Sequence, residues 1–271
     1  MTHSQYAALE TKASYLRLRV LESVVAARKG HLGGTYSCME LLVALYYGGL
    51  LRVRPAEPQW PDRDRFLIGK GHACLALYHM WADLGFFPAA ELARYGVSGG
   101  LGGQLDRSLP GVEHNTGSLG HALGIGAGIA LAARLDGRDH RTVVLLGDAE
   151  CDEGAIWESA MFAARHQLAS LTVVIDRNRL SVTDYVPDVD ASGSLETKFG
   201  ACNWSVRPID GHCFPAIFAA FADAGADGRP TVIIADTIKG KGVSFMENGI
   251  KWHHTVPGPE EVTQARKELA P

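Results

Sequence analysis

Two short runs, TVVLLG at residues 142–147 and LTVVID at residues 171–176, decide how this chain folds. Each is an uninterrupted β-branched and leucine-rich stretch of strand length, the pattern of a strand buried on both faces of a parallel sheet. Residues 152–166 between them read as a helix, and further strands are expected at 66–68, 205–209 and 231–237, with a helix at 214–224. Strand and helix alternating at this spacing predict an α/β fold, a doubly wound, mostly parallel sheet with helices on both faces.

Working outward, residues 6–27 carry apolar side chains at helical spacing (Leu9, Ala13, Leu16, Val20, Val24) and stop at a turn over 30–34. A second helix is expected over 37–47. Residues 96–120 hold eight glycines and almost no periodicity, as if the backbone were shaped around something. The helix that follows, 119–135, is rich in Ala and Gly, which suits close packing against other backbone, including another subunit. With no internal repeat, low-complexity linker or second-domain boundary, residues 1–271 read as a single domain. Its parts are an N-terminal helical extension (1–50), a core at about 60–257 and a C-terminal helix at about 259–269.

Composition removes several function classes. Twenty-six Lys and Arg against 30 Asp and Glu leave a formal charge of -4, so no global positive field draws nucleic acid or an anionic membrane. The five cysteines are odd in number, far apart and form no CxxC pair, which fits reduced thiols rather than zinc or a disulfide framework. The polar N-terminus lacks the pattern of a signal peptide. The longest apolar run, 122–133, is well short of the roughly 20 residues that span a bilayer. A cytoplasmic protein is expected.

In doubly wound sheets ligands sit at the carboxyl ends of the strands. The loop after 142–147 reads Asp148-Ala149-Glu150-Cys151-Asp152-Glu153, and the loop after 171–176 reads Arg177-Asn178-Arg179-Leu180. A carboxylate, an amide oxygen and a backbone carbonyl are hard oxygen ligands, too few to cage an ion alone, and suit Mg²⁺ or Ca²⁺ completed by water and ligand phosphates. A helix start near Cys151 adds donors for an anion. The same residues also allow a plainer reading, in which Asp148 and Asp152 cap a helix and Asn178 makes a turn.

Gly147-Asp148-Ala149 followed by Asn178 resembles the thiamine-diphosphate fingerprint, and the segments around it resemble transketolases: Gly30-His31, the run from Gly69 to Ala73, Pro110 to Glu113, Thr116 to Gly120, Asp148 to Trp157 and Lys239 to Asn248. The resemblance runs in order over 12–257. It is to the first of three transketolase domains, the one that binds the diphosphate, and the sequence ends where the pyrimidine-binding domain would begin. This implies the thiamine-diphosphate-binding fold and the N-terminal subunit of a split transketolase. The implied partner is a C-terminal transketolase-like subunit carrying the pyrimidine-binding domain, in an α2β2 assembly acting on sugars or sugar phosphates.

Residue by residue, the resemblance implies a metal held by Asp148, Asn178 and the carbonyl of Leu180. It implies cofactor contacts from His72, Gly117, Leu119, Asp148, Ala149, Glu153, Asn178, Val182, Lys239 and His253, with Lys70 nearby, and a coupling of Glu153 to a glutamate of the partner. His31, His72, Glu153 and His253 would be catalytic, and His31, Gln104 and His253 would meet the substrate. Imidazole suits proton transfer at ketose hydroxyls because it titrates near neutral pH without large tuning. His254 points elsewhere if its segment is extended and receives no role.

The sequence departs from the family where Gln104 replaces a histidine that helps recognise donor hydroxyls, and where His114 and His121 stand in place of other residues. Glutamine hydrogen-bonds but shuttles no proton near pH 7. The expected activity is therefore transfer of a two-carbon ketol unit to an aldehyde, on a donor or acceptor other than the standard pentose phosphates. Two alternatives stay open: a 2-oxoacid decarboxylase or dehydrogenase component using the same cofactor, and a degenerate, non-catalytic assembly subunit.

Overall fold

The computed structural model describes residues 1–270. In chain order the helices are α1 (His3–Ala27), α2 (Leu32–Ser37), α3 (Met39–Tyr46), α4 (Cys74–Leu84), α5 (His121–Leu135), α6 (Gly154–Arg165), α7 (Leu195–Ala201), α8 (Phe214–Ala222) and α9 (Pro259–Leu269). The strands are β1 (Arg65–Ile68), β2 (Thr142–Gly147), β3 (Leu171–Arg177), β4 (Val189–Asp190), β5 (Gly193–Ser194), β6 (Ser205–Asp210) and β7 (Thr231–Asp236). β4 and β5 form a small antiparallel hairpin. The other five make one wholly parallel sheet in the order β1-β2-β3-β7-β6.

Side chains alternate across a strand, so a continuous apolar run must be covered twice. Leu67, Val144, Val173, Val232 and Val206 fall in one register row. That face packs on α5, α6 and α7 through Leu123, Ala127, Ile156, Ala160 and Phe199. The neighbouring residues Ile68, Leu145, Val174 and Ile233 point the other way, onto Leu16 and Val20 of α1, Leu42 of α3, Leu77 of α4, Ile217 of α8 and Leu269 of α9. Both faces are thus dry, and replacing a central leucine such as Leu145 by alanine would cost about 2–5 kcal/mol. No helix among the described residues is long and apolar enough to cross a membrane.

Three local readings change. Residues 37–47 are not one helix: α2 begins at Leu32, and the chain bends at Cys38 before α3. Gly33 and Gly34, read as a turn because glycine is a poor helix former, are helical and buried. A Cβ on Gly33 would lie 2.9 Å from the Trp252 carbonyl, so close approach demands glycine there, and one on Gly34 would lie 3.1 Å from His72 Nε2, where the imidazole would have to give by a few tenths of an ångström. The helix read from 152 starts at Gly154, after a 3-10 turn over Ala149–Asp152. Finally, α4 escaped notice because Cys74 to Trp81 are all buried, leaving no polar stripe to mark a period.

Candidate active site

The chain leaves β1 towards α4 on one face of the sheet and leaves β2 towards α6 on the other. Such a divergence opens a crevice beyond the strand ends. A cavity of about 330 Å³ lies there, lined from the loops after β1, β2, β3 and β7. It gathers Lys70, His72, Leu119, Asp148, Ala149, Asn178, Leu180, Val182, Lys239 and His253.

Its floor is polar and almost dry. Register pairing sets Gly147 beside Asp176, which brings the β2 and β3 loops together. Asp148 accepts from the amides of Ala149 (2.8 Å) and Arg179 (2.5 Å), tying one loop to the other. Burial and the neighbouring Asp176 push its carboxyl up to about 6, the signature of a carboxylate short of positive charge. Asp176 accepts from Ser37 Oγ (2.6 Å), Thr237 Oγ1 and Lys70 Nζ. Burial alone would favour the neutral amine of Lys70, but Asp176 outweighs it and raises its pKa above the ordinary value.

The donor set fits a hard cation. The amide nitrogen of Asn178 is turned to Asp176 (3.4 Å) and Ser37 (3.3 Å), which leaves Oδ1 as the acceptor on the opposite side, where it takes only the Leu180 amide at 3.2 Å. Asp148, Asn178 and the Leu180 carbonyl therefore offer three oxygens of three kinds around one cavity. Among the described residues no group of three His, Cys, Asp or Glu side chains is placed to hold a metal by itself. The Leu180 carbonyl, however, already accepts from Lys239 Nζ at 2.9 Å.

Above the floor, His31, His72 and His253 form a near-equilateral triangle, with ring centroids 5.2–5.3 Å apart. A 3-10 turn over Gly71–Ala73 presents His72, and another over Ile250–His253 presents His253. Burial, with mutual repulsion and nearby lysines, lowers His31 and His253 to about 4 and His72 well below 6.5. The sequence reading placed these groups near neutrality without tuning; packed together they are neutral at pH 7. Each then presents one donor and one acceptor, which suits hydroxyl groups. His253 Nδ1 is buried with no partner. His254 does not point away as expected: the turn carries it to 4.5 Å from the His31 ring.

Other expected residues lie around this cavity. Leu119 is 40% and Val182 60% exposed at its rim. Glu153 is exposed beside Gly120. Gln104 and Gly117 flank an adjoining groove, where Gln104 Oε1 accepts from Thr116 Oγ1 at 3.1 Å. Thr116 Oγ1 accepts from the Leu105 amide at 2.8 Å, and its single proton is shared between Gln104 Oε1 at 3.1 Å and the Leu105 carbonyl at 3.5 Å. Sequence reasoning overlooked Glu150, which is 2% exposed and accepts from the amides of Gly120 (2.9 Å) and Gly147 (3.1 Å). Nothing in its position distinguished it from the acidic residues around it.

Residues 9–270 match the family described as the thiamine-diphosphate-binding domain of transketolase. The chain is 38% identical to an apulose-4-phosphate transketolase subunit from Phocaeicola vulgatus over 268 residues, which is 98% of this chain and 95% of that protein. It is also 38% identical to the 6-deoxy-6-sulfo-D-fructose transketolase subunit SqwG of a Clostridium species, over 91% of this chain and 90% of that protein. The crystal structure of Campylobacter jejuni transketolase superposes with a TM-score of 0.91 at 28% identity, covering 99% of this chain but 43% of that one. The chain thus spans less than half the length of the solved transketolase. It belongs to the transketolase family, through the domain that binds thiamine diphosphate.

Proposed function

We propose that the chain is the cofactor-binding subunit of a split, cytoplasmic transketolase, active with a C-terminal transketolase-like subunit that carries the pyrimidine-binding domain, in an α2β2 assembly. Residues 1–50, 60–257 and 259–269 contribute to shared apolar packing around one sheet, in support of a single domain. The observation that carries the functional reading is the trio of Asp148, Asn178 and Leu180 oxygens beneath three neutral imidazoles. The trio would hold Mg²⁺, with Ca²⁺ as the alternative, which would supply the positive charge that retains a diphosphate. Gly117, Leu119, Ala149, Val182, Lys239, His72 and His253 bound the cofactor, and thiamine diphosphate supplies the nucleophile and electron sink for breaking the ketose carbon chain.

His31, His72 and His253 orient the sugar's hydroxyls and move their protons, the last two also bordering the cofactor. Glu153, exposed beside Gly120, would meet the partner's carboxylate, where two adjacent acids would share a proton. Gln104 offers an amide in place of an imidazole, which hydrogen-bonds a substrate group without moving a proton near pH 7. Relatives named for apulose 4-phosphate and for a sulfonated fructose support a substrate other than the standard pentose phosphates. Co-expression with the C-terminal subunit tests this. The pair should bind thiamine diphosphate in a Mg²⁺-dependent way by calorimetry and transfer a ketol unit, with slow turnover of xylulose 5-phosphate plus ribose 5-phosphate. A pair that binds no cofactor, or that only releases CO₂ from 2-oxoacids, would overturn the activity, and brisk pentose-phosphate turnover would overturn the substrate reading.

A further inference from the structure

β6 and β7 pair as far as Asp210 and Asp236, and the Gly211 amide still reaches the Asp236 carbonyl at 2.8 Å. Had the ladder continued, its next bond would have run from the Ile238 amide to the Gly211 carbonyl. The chain instead turns into α8, and the Ile238 amide donates to His212 Nε2 at 2.9 Å. A side chain thus stands in for a strand carbonyl one residue before Lys239. It can do so only as a neutral imidazole with its proton on Nδ1, because a proton on Nε2 would face the Ile238 N–H. The other edge of the ring enforces that tautomer: Nδ1 lies 2.9 Å from Glu40 Oε2, and Arg17 fixes both Glu40 oxygens on α3.

We propose that His212 is a positioning residue for the β7 end of the cavity: by holding the Ile238 amide it keeps Lys239 in place against the loop after β3. This rests on the cofactor reading above and deepens it. Lys239 lies between two residues hung from α2 and α3. Ile238 hangs from Glu40 through His212, and the Gly240 amide donates to the Gly33 carbonyl at 3.0 Å. Between these brackets the Lys239 stem passes against Gly33, where a Cβ would stand 3.0 Å from Lys239 Cγ. Its ammonium then bridges the carbonyls of Leu180 at 2.9 Å and Ser181 at 2.7 Å, and all three residues line the cavity. Releasing Ile238 removes one bracket. The strand itself stays, because Thr237 remains tied to β3 by its amide and its hydroxyl, so the loosening is confined to the residues that follow it. His212 is not among the residues lining the cavity, and it acts through Ile238 and Lys239.

The two edges of the imidazole can be replaced separately. Glutamine puts its carbonyl oxygen near the Nε2 position, keeping an acceptor for Ile238 and giving up Glu40. Asparagine puts its NH₂ near the Nδ1 position, keeping the donor to Glu40 and giving up Ile238. In the pair assembled with the C-terminal subunit, His212→Asn should speed amide hydrogen exchange over residues 238–241 about tenfold and weaken thiamine diphosphate binding with Mg²⁺ by about tenfold. His212→Gln should keep both within about twofold of wild type, although it melts lower than His212→Asn through the lost Glu40 contact. A merely structural role, support of Glu40, gives the opposite order, with asparagine harmless and glutamine damaging. That order, or an asparagine variant with wild-type exchange and affinity, overturns the proposal. The unaltered pair gives a measurement that does not depend on how the variants fold: the Ile238 amide should exchange at least about tenfold more slowly than an open loop amide, and free exchange there overturns the proposal equally. A wild type that binds no thiamine diphosphate sinks the cofactor reading, while exchange in the three proteins still decides whether His212 holds the loop.

Discussion

Replacing Glu150 by glutamine tests whether the site is held from beneath by one side chain. The carboxylate takes the Gly120 amide, which leads into α5, on one oxygen, and the Gly147 amide, beside Asp148, on the other. Gly69 presses on it so closely that a Cβ there would lie 2.0 Å from Oε1, which leaves no room for water to substitute. Glutamine has one carbonyl oxygen, so one backbone N–H would face an amide N–H. Losing a charge-assisted bond and stranding a donor costs about 3 kcal/mol. Burial raises the Glu150 pKa, so removing its charge offsets some of this loss. In a chain of this size the remainder lowers the melting midpoint by roughly 4–8 °C. Because Gly147 adjoins Asp148, Mg²⁺ affinity in the presence of pyrophosphate should fall by about tenfold, an effect typical of groups that orient metal ligands. Scanning calorimetry and a metal titration read both effects. A Glu150→Gln protein melting within 1 °C of wild type (roughly the measurement error against the shift above), with unchanged metal affinity, would refute the reasoning.

Acid should loosen the protein through Glu40. Arg17 bonds both its oxygens at 2.7 and 2.6 Å, and His212 Nδ1 lies 2.9 Å away. The Ile238 amide donates to His212 Nε2, so the imidazole proton sits on Nδ1 and is given to Glu40. Burial opposes ionisation here but Arg17 and His212 outweigh it, lowering the Glu40 pKa from 4.5 to about 2. A folded-state value below the unfolded one stabilises the fold above about pH 4.5 and loses that contribution as the pH falls through about 2, on the order of 3 kcal/mol in all. Urea midpoints of wild type and Glu40→Gln should therefore converge between pH 5 and pH 2 (the window set by those two values); parallel curves would contradict this. Gly34→Ala gains up to about 1 kcal/mol of helix propensity but drives a methyl towards His72 Nε2. Its melting midpoint should hold while ketol transfer drops by about tenfold (a displacement effect at the reacting groups), and full activity would show that the placement of His72 does not matter.

Most of the architecture was legible because strand and helix periods are local. The β2 and β3 runs could be nothing but doubly covered strands, and β7 and α1 were found within a residue or three of their observed ends. What stayed hidden depended on contacts distant in sequence. Gly33 and Gly34 read as a turn until His72, Lys239 and Trp252 were seen against them. Glu150 was one acid among several until two backbone amides, from the β2 end and the start of α5, were found on it. His254 was set aside on the assumption of an extended segment, and a single 3-10 turn brought it to His31.

The sequence by itself determined the parallel sheet, the strand-end loops that line the cavity and the resemblance that family comparison bears out, since each is written in short runs of residue types. Tertiary structure alone decided the electrical state of the site. Which carboxylate lacks a cationic partner, which lysine is tied to a carboxylate and which to neutral carbonyls, and that three clustered imidazoles are neutral all depend on burial and on groups brought together from 41 to 222 residues apart. Electrostatic energies in a dry interior depend on distance and solvent access, and neither quantity exists until the chain has folded.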